Sequence, residues 1–527
     1  MFPVLICRAG HPCRKPQLPT CGFAAEHLYP AQMRSTLLFL VYIILVAFGL
    51  HQHEMWRDEI QAWNLVHDSA SIPDLFRTIR YEGHPVLWFL VLWPFSKFGH
   101  DPHTIQVVHF CMAAFVAFLV IYKSPLRFYQ QIAVLFSYFL FFEYGLISRN
   151  YLIGIALLLG IAVLWKNDRK NSWSIGILLF LLFQSNAFMA LIAAAVLLML
   201  MLELFHNQVL FKPQNLLPVV FAMAGGVLFL ITIVPPPDNS YAPIWNLHFW
   251  PGLAVTTIGK ITAGLLPVPE FKTAFWGTRL IENSIVNALI AVPVGTALLW
   301  SLRKNTPVFV FTLASFGLML LFLYLKPVGT YRHYGHFSMA LLFAYWINAY
   351  RSEQPRMTSF IFNSVFLVQL PVGLFAAFTD WKNPFSNAVH AADYIEKNMP
   401  ENVRIAGAFN YLSTPVAGYL QKEIFFLNDG RYSDYVIWRE KYWNYKATHL
   451  SQAELFSKFV ETVDVRKSNV LIMSYTLDPY TLNDAAREGQ VQLMKLNGRN
   501  YKVTCVKVYA GAIVEDENYY LYTFSEI

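Results

Sequence analysis

The sequence predicts a polytopic α-helical membrane protein carrying a C-terminal α/β domain, and three observations lead there. Of its 527 residues, 56% are hydrophobic and only 14% charged, outside the composition of a soluble globular chain. Apolar runs long enough to cross hydrocarbon as a helix recur along the first two thirds, whereas the strands of a membrane barrel would alternate apolar and polar. The last third then changes to alternating helix and strand patterns.

In chain order, residues 1–32 (MFPVLICRAGHPCRKPQLPTCGFAAEHLYPAQ) have no usable periodicity and no apolar stretch typical of a signal peptide. Met33 and Arg34 lead straight into LLFLVYIILVAFGL, so 1–33 is expected to be a disordered tail or to lie upstream of the true start. The membrane domain is assigned to 34–380. Its spans are expected at 35–50, 104–122, 129–147, 150–165, 172–187, 188–205, 216–234, 284–302, 307–325, 337–350 and 358–378, about eleven on apolar length. The stretch 84–98 is short and interrupted by Pro94, which favours a juxtamembrane or re-entrant helix.

The distribution of basic residues supports this layout. Lys123 and Arg127, Lys166, Arg169 and Lys170, Lys212, Arg303 and Lys304, and Arg351 and Arg356 all fall on one side if residue 34 is cytoplasmic. The net charge of +7 is thus explained by orientation in the membrane, and no nucleic-acid partner is expected. The opposite face receives the long loops 51–103 and 235–283, the loop 326–336, and everything after about 380. The five cysteines (7, 13, 21, 111 and 505) include no C-x-x-C pair, so neither a disulfide framework nor a metal centre is read from them.

From residue 387 the pattern reads helix 388–399, strand 403–409, helix 414–422, strand 424–427, helix 452–463, strand 469–475 and helix 482–489. Strands 491–496, 502–510 and 518–524 follow. This predicts a small α/β domain over 381–527 with a largely parallel sheet ending in strands able to pair antiparallel. No glycine-rich phosphate loop follows any of its strands.

The polar clusters of the outer face carry the chemistry. HEMWRDEIQAW, 53–63, sets Arg57, Asp58 and Glu59 just after the first span. As a helix it would put Trp56, Ile60, Trp63 and His67 on one stripe, with Asp58 pointing away and Glu59 at the margin. Asp58 with Gln61 three residues on also reads as an N-terminal capping box with no catalytic duty. RYEGHPVLW, 80–88, adds Arg80, Tyr81, Glu82 and His84, which as loop residues could equally be solvated. Arg149, in SRNY, either snorkels to the interface or grips an anionic headgroup. KPVGTYRHYGHF, 326–337, is dense in Lys326, Tyr331, Arg332, His333, Tyr334 and His336, and cations on an outer loop need a reason. Phosphate binding is one; snorkelling is the other. Together these residues fit a phosphate-bearing lipid substrate, with a carboxylate base for an acceptor hydroxyl and cations for the departing phosphate.

On Asp58 and Glu59 after the first span, His84-Pro85-x-Leu87 opening a short apolar stretch, the multi-span body and the outer domain, the chain resembles the GT-C superfamily of membrane glycosyltransferases. The protein O-mannosyltransferase and aminoarabinose transferase branch is the nearest in pattern, although that branch often has a second proline where this chain has Val86. The resemblance implies a GT-C-like fold and a glycosyltransferase in a bacterial inner membrane, with its N-terminus cytoplasmic and its C-terminal domain extracytoplasmic. It implies a polyprenyl-phosphate-linked sugar as donor and leaves the acceptor open among glycan, lipid and protein. No cofactor is required, while a divalent metal, which some members use, is not indicated. By the same resemblance Asp58 is the base with Glu59 in reserve. Arg332 and His333 are the phosphate partners, with Arg149 behind them, and Arg57, Tyr81, Glu82, His84, Lys326 and Tyr331 complete the substrate site. A transporter or flippase of a lipid-linked sugar is the main competing reading, but such proteins place ionisable groups at mid-span, and here the spans are nearly free of them, with Glu143 and Glu203 near helix ends and no central Asp, Lys or Arg. A glycan polymerase or ligase is the other, and its outer loops are usually richer in Arg.

Overall fold

The computed structural model describes residues 25–166, 172–240, 245–326, 329–442, 450–474 and 487–527. Most of the N-terminal tail, together with Arg169, Lys170 and most of the expected helix at 482–489, lies outside the described residues.

The chain is mostly helical. Among the described residues seven helices are long and apolar enough to cross a membrane: Gln32–Gln52, Thr104–Lys123, Ala187–His206, Pro213–Ile233, Ser284–Leu302, Thr306–Leu325 and Arg356–Lys382. Each coincides with an expected span; the other four of the eleven fall short. Tyr151–Trp165, Ser172–Phe183 and His336–Ala349 have 15, 12 and 14 residues. At 1.5 Å rise even the longest covers only about 22 Å of a hydrocarbon layer roughly 30 Å thick.

The fourth, 129–147, is broken. Phe128–Leu135 stops, Ser137 caps a new turn through Leu140 N–H at 3.3 Å, and Tyr138–Glu143 continues in a wider winding, with Tyr144 N–H bonded to Phe139 O at 2.8 Å. The break admits the last long helix, where a Cβ on Gly373 would sit 2.4 Å from the carbonyl oxygen of Phe136.

His336–Ala349 shows why apolar length misleads. It is buried from His336 to Asn348, apolar on every side because it is the bundle's central strut. The stretch 84–98 contains a ten-residue helix, Leu87–Ser96, with Trp88, Phe89 and Leu92 buried.

The bundle has two distinct ends. At one, Lys166 Nζ lies 5.9 Å from the Tyr350 ring, Tyr350 OH donates to Lys123 O at 3.4 Å, and Arg351 pairs with Glu203 at 2.5 Å. The C-terminal domain sits at the other.

That domain holds a seven-stranded sheet: β1 (Arg404–Gly407), β2 (Ile424–Phe426), β3 (Arg431–Ser433), β4 (Asn469–Met473), β5 (Val491–Leu496), β6 (Arg499–Tyr509) and β7 (Tyr519–Glu526), in the order β3-β2-β1-β4-β7-β6-β5. Only β1–β2 and β1–β4 pair in parallel, and the other four pairings are antiparallel, so the sheet is mixed where a largely parallel one was expected. Strand β3, too short to register as a pattern, was not foreseen. Helix Asn410–Leu420 begins four residues before its expected start, because Asn428, 18 residues away, accepts the Asn410 N–H at 2.8 Å.

The two parts clasp one helix, Arg57–Asp68. Asn410–Leu420 packs on it closely enough that a Cβ on Gly418 would lie 2.2 Å from Ile60 Cγ2. Gln61 exchanges two hydrogen bonds with the Val436 backbone (2.8 and 2.9 Å), Asn64 donates to Asp434 O at 2.6 Å, and the Met55 N–H donates to Tyr419 OH at 2.8 Å.

Candidate functional site

The charged tripeptide is divided by the helix it starts. Trp56 is the N-cap, so Arg57, Asp58 and Glu59 occupy the first turn, where acidic side chains favour the helix dipole. The cap is closed by Glu59, which accepts the Trp56 N–H at 3.3 Å, so the box pairing Asp58 with Gln61 does not form. Three consecutive side chains then leave the helix in three directions.

Asp58 turns toward two arginines brought from distant loops. Its Oδ2 forms ion pairs with Arg149 and, at 3.2 Å, with Arg332 Nη1. The Asp58 side chain keeps 29% exposure while Arg149 keeps 9% and Arg332 18%, so the carboxylate is reachable and its partners are recessed. The Arg332 guanidinium lies against Trp56 and Trp276 (5.1 and 5.8 Å to the ring centres), and its buried Nε has no partner. Tyr144 OH fixes the Arg332 carbonyl at 2.6 Å.

His84 and His333 complete this cluster. Burial and the nearby Arg332 charge push His84 down to about 4, and burial, with Arg332, His336, His84 and Arg149 around it, holds His333 well below its ordinary range. Both are therefore neutral at pH 7. Thr330 N–H donates to His333 Nδ1 at 2.9 Å, which leaves Nε2 as the protonated nitrogen, 3.4 Å from Tyr151 OH. Phe188 lies 5.2 Å from the rings of both His333 and His336. His336 donates through Nδ1 to His333 O at 2.9 Å, leaving its buried Nε2 without a partner.

Glu59 turns the opposite way, into the protein. Its carboxylate is fully buried: Oε1 accepts the Ser148 N–H at 2.5 Å, and Oε2 meets His53 Nε2 at 3.1 Å. The other His53 nitrogen, Nδ1, is 3.0 Å from Asp380. Arg57 faces the C-terminal domain, pairing with Asp516 at 2.9 Å and Glu517 at 3.4 Å.

The remaining expected site residues are dispersed. Glu82 accepts from Gln61 at 2.9 Å, and burial pushes it up to about 7. Tyr81 donates to Asp238 at 3.1 Å, which also holds Arg439 of the C-terminal domain at 2.5 Å. Lys326 Nζ lies 4.5 Å from the Trp245 ring centre, and Tyr331 stacks under Arg279 at 5.2 Å. The structure thus brings together Asp58, Arg149, Arg332, His84 and His333, and leaves Arg57, Glu59, Tyr81, Lys326 and Tyr331 with other partners. Sequence reasoning missed His53, Asp380, Tyr144, Tyr151, Trp276 and Arg279. SRNY did hold a signal for Tyr151, next to Arg149; nothing local marks Asp380.

Among the described residues no group of three His, Cys, Asp or Glu side chains is placed to hold a metal ion. No protein-family model matches the chain, and no curated protein matches it significantly.

Proposed function

We propose that this protein is an integral membrane glycosyltransferase that moves a sugar from a polyprenyl-phosphate donor to an acceptor hydroxyl, with Asp58 as general base. The observation that carries this reading is the Asp58 carboxylate held between Arg149 and Arg332 at the domain-bearing end of the bundle. Two guanidiniums against one carboxylate leave donors for a phosphate, which guanidinium forks match bidentately. A phosphate drawing them away would release Asp58 to take a proton. The acceptor oxygen would then attack the anomeric carbon, its proton passing to Asp58, as the sugar–phosphate bond breaks and that bond's electron pair leaves with the polyprenyl phosphate. Neutral His84 and His333 can donate to phosphate oxygens without adding charge that would trap the product. Glu59 has both oxygens engaged and is assigned no proton transfer.

The test uses the full chain in nanodiscs with a panel of polyprenyl-phosphate sugars, comparing wild type, Asp58→Asn and Arg332→Ala. Asp58→Asn should keep or tighten donor binding and lose turnover by about 10²–10⁴-fold. Arg332→Ala should weaken donor binding by about tenfold or more, the worth of a charged hydrogen bond. Turnover surviving in Asp58→Asn would remove Asp58 from the chemistry, and no binding of any panel member by wild type would remove the lipid donor.

A further inference from the structure

Glu59 is a carboxyl group with no exposure, and a buried acidic group calls for a partner. His53 supplies one, and is itself flanked by a second carboxylate, Asp380, from the last long helix. The imidazole touches Glu59 at 3.1 Å and Asp380 at 3.0 Å, with the Phe385 ring 4.6 Å from it. Burial alone would lower the His53 pKa, yet Asp380 and Glu59 hold it well above its ordinary range. The other ionisable groups around it are Glu54 on the same loop, which accepts the Phe385 N–H, and His109, which donates through Nε2 to Tyr144 O. Gln106 fixes the His53 and Leu50 carbonyls at 3.0 and 2.8 Å. The imidazole is thus held at both ring nitrogens.

The consequence falls on the turn that carries Arg149. Glu59 takes the Ser148 N–H on one oxygen and the Trp56 N–H on the other. Those two N–H groups lie next to the cationic cluster, since Ser148 precedes Arg149 and Trp56 lies two residues before Asp58. We propose that Asp380, His53 and Glu59 form a positioning chain that fixes the Ser148–Arg149 turn and so sets the reach of the Arg149 guanidinium toward Asp58 and toward the anionic group the site takes. The chain ties the end of the first long helix to the last one, and a cut at either link should be felt at Arg149 and not at Arg332. The proposal rests on the functional reading above only for what the anion is.

The experiment uses the full chain in detergent, with amide hydrogen exchange across 144–151 and affinity for farnesyl phosphate as the probe. His53→Gln and Asp380→Asn should each speed exchange at the Ser148 amide by about tenfold or more while the 330–336 segment stays protected. Each should weaken farnesyl phosphate binding by about tenfold in wild type, yet add little in an Arg149→Ala background, since the chain acts through Arg149. His53→Lys, which restores the positive charge, should recover part of the loss. Unchanged Ser148 protection in His53→Gln would overturn the positioning chain whatever the probe does. Full additivity with Arg149→Ala would overturn it too, by showing a general structural effect. Wild type failing to take farnesyl phosphate, with Ser148 exchange still coupled to His53, supports the chain and counts only against the polyprenyl-phosphate donor.

Discussion

Glu82 and His84 sit two residues apart and are pushed by burial in opposite chemical senses, the acid up to about 7 and the imidazole down to about 4. For Glu82 the folded value exceeds its ordinary 4.5, so its contribution to stability is full below 4.5 and is lost as pH rises through 7. For His84 the folded value is below 6.5, so its contribution is present above 6.5 and is lost as pH falls toward 4. Between 4.5 and 6.5 the two slopes oppose one another. Glu82→Gln keeps an acceptor for Gln61 and removes one slope, so wild type should lose Tm relative to the variant as pH rises from 4.5 to 7. A difference independent of pH would mean that Glu82 titrates normally. Both residues were legible because His84-Pro85 and the adjoining acid stand out in a short loop. His53 was not: a histidine at a span end reads as interfacial, and its partner Asp380 is 327 residues away. Trp276 and Arg279 were equally hidden, in a long loop whose only local signals are those of turns.

At the scale of elements, the pattern located most helices and strands but not their ends or breaks, and it missed β3 and the helices Ile72–Ile79 and Pro251–Leu265, which lie in stretches read as loops. Apolar composition is continuous through 129–147, so the winding change at Ser137 depends on Gly373 arriving from another helix, which no local window contains. The first-turn helix of the site was legible in its period, and its neighbour was not. That neighbour, Asn410–Leu420, touches it at Gly418, where a methyl group would fall 2.2 Å from Ile60 and 3.0 Å from the Asn64 amide. Gly418→Ala should therefore cost about 1–3 kcal/mol as an overpacked contact. Ile60→Ala, costing about 2–5 kcal/mol alone as a buried truncation, should absorb part of the clash. The double variant should then melt above the temperature that adding the two losses predicts, measured as Tm in detergent. Strict additivity would show that the two helices separate rather than share the strain.

For the whole molecule the decisive question is which helices run from end to end. Arg149 and Arg332 meet Asp58 beside the C-terminal domain, and the helices after them, Tyr151–Trp165 and His336–Ala349, finish at Lys166 and Tyr350, which meet at the opposite end. Ala187–His206 runs the same way, from Phe188 against His333 to Glu203 against Arg351. Short as they are, Tyr151–Trp165 and His336–Ala349 thus reach, as Ala187–His206 does, from one end of the bundle toward the other. Charge gives the same answer by parity. Lys212 and Arg303 are separated by two long helices, but Arg303 and Arg351 by only one, Thr306–Leu325, so His336–Ala349 must also cross if the basic loops share a side. This predicts an impermeant-maleimide labelling pattern in intact bacterial cells expressing cysteine-free protein with single reintroduced cysteines. Lys397→Cys and Lys502→Cys, both exposed on the C-terminal domain, should label from outside. Lys304→Cys and Ser352→Cys should label only after the membrane is permeabilised. If Ser352→Cys labels from outside while Lys304→Cys does not, His336–Ala349 does not cross, the basic loops are divided between the two sides, and the orientation that puts Asp58 on the outer face loses its support.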